Sequence, residues 1–278
     1  MMKKNWLLAL FLVLPAGNVT TAQQEFSSSK FEILEIEDAI TSGDFPYAYD
    51  LALPLANAGH PQAEFILGTM KQNGWGVPQN YPDAINWYLR SGEHGNGDGA
   101  YNAGVLTLNG RGVNADPEKA ITYFEIAAAL NHAPALYNLG IIYQGNYGIS
   151  PDLPKSFDYF VMAGQLGHPQ AIYRAGLHFA NGIGTIQDFI KAHQWFEAAA
   201  TYNYHPAQYE LALLYLDGRG GNIDKVEGLK WLLIAQVGDQ ETYREKTAEV
   251  AVALTEDEQN AAREASAAWL TEFAKRSR

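Results

Sequence analysis

Ala135-Leu-Tyr-Asn-Leu-Gly-Ile-Ile-Tyr143 decides the fold, because close copies of it recur at one fixed distance along the chain. Ala63-Glu-Phe-Ile-Leu-Gly68 and Gly99-Ala-Tyr-Asn-Ala-Gly104 precede it, and Ala171-Ile-Tyr-Arg-Ala-Gly176 and Ala207-Gln-Tyr-Glu-Leu-Ala212 follow. Each copy begins 36 residues after the last. A constant period of about 20 to 50 residues marks a repeat architecture, in which no unit buries its apolar face alone and neighbours stack to do so. The spacing predicts five units, 63–98, 99–134, 135–170, 171–206 and 207–242, with position 1 at the first residue of each.

Each unit reads as helix, glycine-rich turn, helix and short loop. The first helix carries Ala, Tyr, Leu and Gly at positions 1, 3, 5 and 6. At about 100° per residue, positions 1, 5, 9 and 12 share one face. The small residue at position 6 (Gly68, Gly104, Gly140, Gly176, Ala212) predicts close approach of the paired helix, since glycine otherwise weakens a helix. Paired glycines such as Gly74 and Gly76, or Gly182 and Gly184, then end the helix.

Position 18 holds Asn80, Asp116, Asp152, Asp188 and Asp224, and Asp44 falls in the same register one period earlier. A column of carboxylates invites a calcium or acid–base reading. Each, however, stands directly before an apolar helical run, where its oxygen can accept a first-turn amide hydrogen, and helix capping is the stronger reading. The second helix repeats an aromatic pair, Trp87-Tyr88, Tyr123-Phe124, Tyr159-Phe160 and Trp195-Phe196, followed by small residues such as Ala163-Gly164. That alternation predicts interlocking neighbours in preference to a sugar-stacking surface. Histidines recur in the closing turns at His60, His132 and His168. Copies one repeat apart are too far separated to share an ion at ligand distances of about 2 Å, so no metal site is expected.

Composition narrows the class. The chain has 278 residues, of which 47% are apolar and 18% charged, enough to bury a core and too few charges for a disordered segment. A net charge of −12 argues against nucleic acid as the partner, and against docking on anionic lipid. Cysteine is absent, so stability rests on stacking without disulfides. At the amino end, Met1-Met-Lys-Lys-Asn5, the apolar run Trp6 to Pro15 and Thr20-Thr-Ala22 form the three-part pattern of a secretory signal over residues 1–22. The run is too short to span a bilayer.

Residues 23–30 read as a polar tether, Phe31 to Ile40 as a capping helix, and Asp44 to His60 as the second half of a unit, so that 23–62 lead into the repeats. The pattern stops after Thr242, and residues 243–278 read as a closing cap. Tyr243 to Leu254 is expected to form one helix, and Thr255-Glu-Asp-Glu258 a capping box for another reaching about Phe273. Trp269 and Leu270 would cover the last repeat.

The combination Ala135 to Tyr143, Gly145, Gly148, Asp152, Lys155 and Tyr159-Phe160 resembles the Sel-1-like repeat, a relative of the tetratricopeptide repeat. Asp116-Pro-Glu-Lys-Ala120 and Asp188-Phe-Ile-Lys-Ala192 match its helix-opening segment. The last unit departs, with Ala212 for glycine and Glu227-Gly228 for Lys-Ala. The resemblance implies an all-α fold, a right-handed superhelical α/α solenoid of TPR-like hairpins. It also implies a non-catalytic adaptor or regulatory scaffold, exported to the bacterial periplasm or secreted, with no cofactor. One branch of that family is cysteine-rich, and some of its members are described as binding or hydrolysing β-lactams. The lack of cysteine sets this chain apart from it.

In such solenoids the first helices line the inner curve. A stripe beside the paired face would then offer position 4 (Ile66, Asn102, Asn138, Arg174, Glu210), position 8 (Met70, Leu106, Ile142, His178, Leu214) and position 11 (Asn73, Asn109, Asn181, Asp217) to a protein or peptide. Asparagine amides both donate to and accept from an extended backbone. Packing between neighbouring first helices is the competing reading, above all for position 8. An enzyme acting on β-lactam or peptidoglycan-like material is a second functional reading. Against it, neither Gly-x-Ser-x-Gly nor His-Glu-x-x-His occurs, and the one Ser-x-x-Lys, Ser27 to Lys30, falls in the tether. Assembly through the convex aromatic face is a third.

Overall fold

The computed structural model of the protein describes residues 31–238 and 240–276, and every regular element among them is helical. The expected signal at 1–22 and tether at 23–30 lie outside the described residues. A first helix, α1, covers residues 31–42. It is followed by α2 (Phe45–Asn57), α3 (Pro61–Asn73), α4 (Tyr81–Glu93), α5 (Gly97–Leu108), α6 (Pro117–Ala129), α7 (Ala133–Tyr143) and α8 (Leu153–Gln165). The remainder is α9 (Pro169–Asn181), α10 (Phe189–Thr201), α11 (His205–Asp217), α12 (Lys225–Ala235), α13 (Glu241–Val252) and α14 (Glu256–Arg276). From α2 to α13 each helix packs on the next in chain order, and α14 folds back on α12. None is long and apolar enough to cross a membrane.

Both helix series keep the sequence period. First helices begin at Pro61, Gly97, Ala133, Pro169 and His205, and second helices at Phe45, Tyr81, Pro117, Leu153, Phe189 and Lys225. The residue pattern ends at Thr242, but the backbone register does not. Helix α13 starts at Glu241, again 36 residues after His205, and fills the place of a sixth first helix.

The helix starts are chemically specified. Asp44, Asn80, Asp116, Asp152, Asp188 and Asp224 each accept the backbone amide three residues on, at 2.9 to 3.2 Å. Each such cap contributes about 1 kcal/mol. The first helices use a different cap. The Nδ1 atoms of His60, His132 and His168 accept the amides of Ala63, Ala135 and Ala171 at 3.2 to 3.4 Å. Those ring nitrogens are thereby committed to the backbone. At the chain's end, Thr255 and Glu258 form the expected box, with Glu258 accepting from the Thr255 amide at 2.8 Å and Thr255 Oγ1 from the Glu258 amide at 3.3 Å.

Inside each hairpin, position 6 makes room for an aromatic ring. A methyl group added at Gly68, Gly104, Gly140 or Gly176 would stand 2.6 to 2.7 Å from the ring of Tyr88, Phe124, Phe160 or Phe196, all of them buried. The fifth hairpin has Ala212 in this slot, and there the partner position carries Leu232 in place of a ring. Between hairpins, Trp195 lies against Gly164, where a methyl would stand 2.6 Å from the indole. The turns dock backwards as well: Gly184, at φ +66°, meets the Leu153 carbonyl so closely that no side chain fits.

The third unit breaks the turn pattern. Its Gly145-Asn146 inverts the Asn-Gly order of the first, second and fourth turns, α7 stops at Tyr143, and a short 3₁₀ turn, Asn146–Gly148, follows. Asn146 Nδ2 still donates to the helix end, at Ile141 O. At the amino end of the repeats, a fully buried Glu64 ties α3 to α4. His94 Nδ1 is 2.7 Å from its Oε2, and Arg90 Nη2 is 2.9 Å from its Oε1, an approach that gives charge contact without a directed hydrogen bond. The carboxyl end is closed by Trp269, which meets Trp231 edge-on at 5.7 Å and packs with Leu270 on the core of the last repeats.

The ring–glycine contact yields a prediction. Gly140→Ala should lower unfolding stability by about 1–3 kcal/mol through overpacking, despite a helix-propensity gain of about 1 kcal/mol. Adding Phe160→Leu should recover part of the loss, as Ala212 opposite Leu232 already implies. Chemical denaturation of the two single variants and the double variant measures the coupling, and strict additivity would contradict it.

Candidate functional site

The structure sorts the three expected positions into three different environments. Position 8 does not reach the surface: Met70 is 0%, Leu106 7%, Ile142 0%, His178 1% and Leu214 6% exposed. The reason is angular. Seven residues advance a helix by about 700°, only some 20° short of two whole turns, so position 8 lies almost above position 1, which is buried in every unit. Met70 and His178 are therefore core residues. His178 donates from Nδ1 to the Ile183 carbonyl at 2.7 Å, and its Nε2 meets the Gln144 amide at 3.1 Å. Burial holds the pKa of this imidazole below its usual range, in keeping with a neutral ring.

Position 11 is exposed but occupied. Asn73, Asn109 and Asn181 each turn their amide nitrogen back onto the carbonyl four residues earlier, at 2.9 to 3.0 Å. They fold back onto the last helical turn, where the Val105 carbonyl also accepts the Asn109 backbone amide at 3.1 Å. Asp217 pairs with Arg219 at 3.3 Å.

Position 4 changes along the stack. Ile66 is buried, and Asn102 acts on the Tyr88 hydroxyl of the preceding hairpin, opposing the rise that burial causes in its pKa. Asn138, Arg174 and Glu210 are half-buried, and none has a hydrogen-bond or ion-pair partner among the described residues. The carboxyl half of the first-helix face is thus the part with polar groups to spare.

A tyrosine directly precedes each of those groups on its helix, and the sequence reading missed these tyrosines as site residues. Position 3 carries Tyr137, Tyr173 and Tyr209, each half-buried. Tyr137 stacks on His168 at 4.7 Å, Tyr173 meets Tyr204 at 5.3 Å, and Tyr209 stacks on Tyr243 at 4.6 Å. Position 3 lies about 200° round the helix from position 1, which would have placed it on the open face. Tyr204 occupies the slot of the capping histidines without making their amide bond. It leans on Tyr173 instead.

The electrostatics follow. Burial pushes Tyr173 far above the usual phenol range, and the neighbouring Glu210 carboxylate adds to the effect. Tyr209 and Tyr243 are raised by the same two causes in the same order. Glu210 is itself raised by burial, with no basic group drawing it back. Arg174 acts on Tyr204 and Tyr173 and leaves Glu210 uncompensated. The arrangement offers an anion, a cation and an amide on one aromatic-lined face. Among the described residues no three His, Cys, Asp or Glu side chains converge on a metal site.

An all-α stack of helical hairpins with a polar, tyrosine-rich first-helix face is the class these features define. The Sel1 repeat model matches residues 61–96, 97–132, 133–168, 169–201 and 205–235, and the chain belongs to the Sel1 repeat family. Among solved structures it is similar to a Sel1 repeat protein from Oxalobacter formigenes, with 24% identity, 88% of this chain and 99% of that one covered, and a TM-score of 0.71. It is also similar to c5321, a protective antigen present in uropathogenic Escherichia coli strains displaying an SLR fold. That match has 20% identity, covers 84% of this chain and 58% of that one, and has a TM-score of 0.51. No curated protein matches the chain. These likenesses concern the fold. Proteins built from Sel1 repeats generally mediate protein–protein interaction and are typically non-catalytic scaffolds.

A carboxylic acid with a raised pKa costs stability when it ionises. Its stabilising contribution is complete below the unfolded-state value and is lost as pH rises through the folded-state value. Glu210→Gln should therefore raise the unfolding midpoint at pH 7. The gain should shrink as pH falls towards the ordinary carboxylate range of about 4. Thermal melts of both proteins across that range test the sign.

Proposed function

We propose that the protein is a non-catalytic adaptor of the cell envelope that binds a protein segment or peptide along the inner, first-helix face. The observation carrying this reading is the row Asn138, Arg174 and Glu210, which stands on three successive repeats with its polar groups unused inside the chain. Buried or half-buried polar groups are ordinarily paired, and leaving them open costs stability. A scaffold with no ligand has no reason to keep three in register.

An extended backbone suits such a row. Asn138 can donate to and accept from peptide groups, Arg174 can hold a carbonyl or carboxylate, and tyrosines supply rigid contact area with little entropy to lose. The half-buried apolar position 7, with Ile141, Leu177 and Leu213, adds hydrophobic contact between them. Export is consistent with the secretory pattern at residues 1–22.

Selection of displayed peptides on the full chain, followed by affinity measurement against an Asn138→Ala/Arg174→Ala variant, tests the site. The variant should keep its fold and lose roughly tenfold or more in affinity, as truncation of central interface groups does. Unchanged affinity in a folded variant would move the binding surface elsewhere.

A further inference from the structure

Ala198 is out of step with its column. Position 28 of the repeat holds Arg90, Ile126, Met162 and Ile234 in the other four units, and the fourth alone carries a residue with no reach. What a long side chain does from that position is visible in the first unit. Arg90 lies over the ring of Trp87 at 4.5 Å, meets the Glu64 carboxylate at 2.9 Å and donates to the Ala56 carbonyl of α2 at 3.0 Å. It fills a slot between two successive second helices, α2 and α4, with Glu64 of α3 as the floor.

Three periods further on, every part of that slot recurs except the filling. Trp195 stands for Trp87, Ile172 for Glu64 and Gly164 for Ala56, and a cavity of about 300 Å³ opens between them, lined also by Gln194 and Ala198. Its floor is apolar and tightly built. Ile172 is buried, and a methyl on Gly164 would stand 2.6 Å from the indole and 3.3 Å from Ile172. Tyr202, one turn beyond Ala198, reaches across to α8, where a methyl on Gly167 would stand 3.1 Å from its hydroxyl. The mouth is open, since Gln194 and Ala198 are exposed.

Charge complementarity names the visitor. In the first unit the carboxylate floor of Glu64 takes the guanidinium of Arg90. Units whose floor is uncharged, with Ala100, Leu136 or Gln208, carry Ile126, Met162 or Ile234 at position 28. Ile172 belongs to the second kind, and a charge buried over it would have no partner, so what completes this slot is apolar. The indole face is a good neighbour for a thioether or a methyl-rich chain. The open mouth leaves part of any visitor outside, which suits a side chain carried by a larger body. There the Gln194 amide can donate to or accept from that body's backbone.

We propose that the cavity between α8, α9 and α10 receives one apolar side chain, of methionine or leucine size, from a partner protein docked on the second-helix face. The partner restores what Ala198 leaves out. This site is separate from the first-helix row of Asn138, Arg174 and Glu210 and does not depend on it.

The test follows the Trp195 indole N–H by NMR in the full chain, with N-acetyl-methionine methylamide as probe and N-acetyl-arginine methylamide as charged control. The methionine probe should shift that signal saturably, and the arginine control should not. Ala198→Met, which seats the chain's own side chain in the slot, should raise the thermal midpoint. It should also weaken the probe by roughly tenfold or more, the worth of burying one apolar side chain. Met162→Ala should open the corresponding slot over Leu136 and add a second saturable site, read at Tyr159. Displayed peptides selected on the Asn138→Ala/Arg174→Ala variant should carry methionine or leucine and be lost when Ala198→Met is added. No saturable shift, equal binding of the arginine control, unchanged affinity in Ala198→Met, or no new site in Met162→Ala overturns the proposal. A thermal gain in Ala198→Met without any effect on probe or peptide marks the cavity as a packing gap and overturns it too. Self-association of the wild-type chain that Ala198→Met abolishes would make the visitor a second copy, and overturn the assignment to a partner protein.

Discussion

The contact on which the structure depends is a ring laid over a missing side chain. Within four of the five hairpins, Tyr88, Phe124, Phe160 or Phe196 occupies the space that a methyl at Gly68, Gly104, Gly140 or Gly176 would fill. A fully buried aromatic ring contributes a few kcal/mol of transfer free energy, more than the helix-propensity penalty of one glycine, about 1 kcal/mol. The exchange is therefore favourable, and it brings the two helix axes close. Where the ring is absent, at Leu232, the glycine is absent too. The repeat conserves a combined volume more strictly than it conserves either residue.

From that contact the remaining order follows by repetition. Hairpins of fixed separation bring second-helix residues of one unit against the small residues of the last, as Trp195 meets Gly164. Turn glycines such as Gly184 press onto the preceding helix start. Each unit thus depends on its neighbour and on little else, the energetic pattern of a one-dimensional array. This explains how a chain without cysteine holds an elongated stack together.

Most of this was legible in the residues. The period, the six acidic or amide caps, the capping box and the terminal tryptophan cover all appear in the structure where their chemistry places them. Other features were less legible, for distinct reasons. Position 8 was offered to a surface stripe with positions 4 and 11, with packing as its competing reading, and its angle over buried position 1 decides for packing. The histidine caps escaped because imidazole is an uncommon N-cap, although the prolines following His60 and His168 mark helix starts. The tyrosines of position 3 were read as repeat consensus, because the sequence period reports which residues recur and is silent on which neighbours they meet. The register of α13 also outlasted the residue pattern, since packing on α12 and the stack of Tyr243 on Tyr209 preserve a slot after its consensus residues are gone.

The way α14 returns to α12 has a bearing on how long the assembly can be. A stack of identical hairpins has two sticky ends, and an uncovered last hairpin is complementary to the first hairpin of another copy. By laying Trp269, backed by the stacked ring of Phe273, against Trp231, the closing helix covers that end with its own chain. Covering that end removes one of the two surfaces through which stacks of hairpins could grow head to tail.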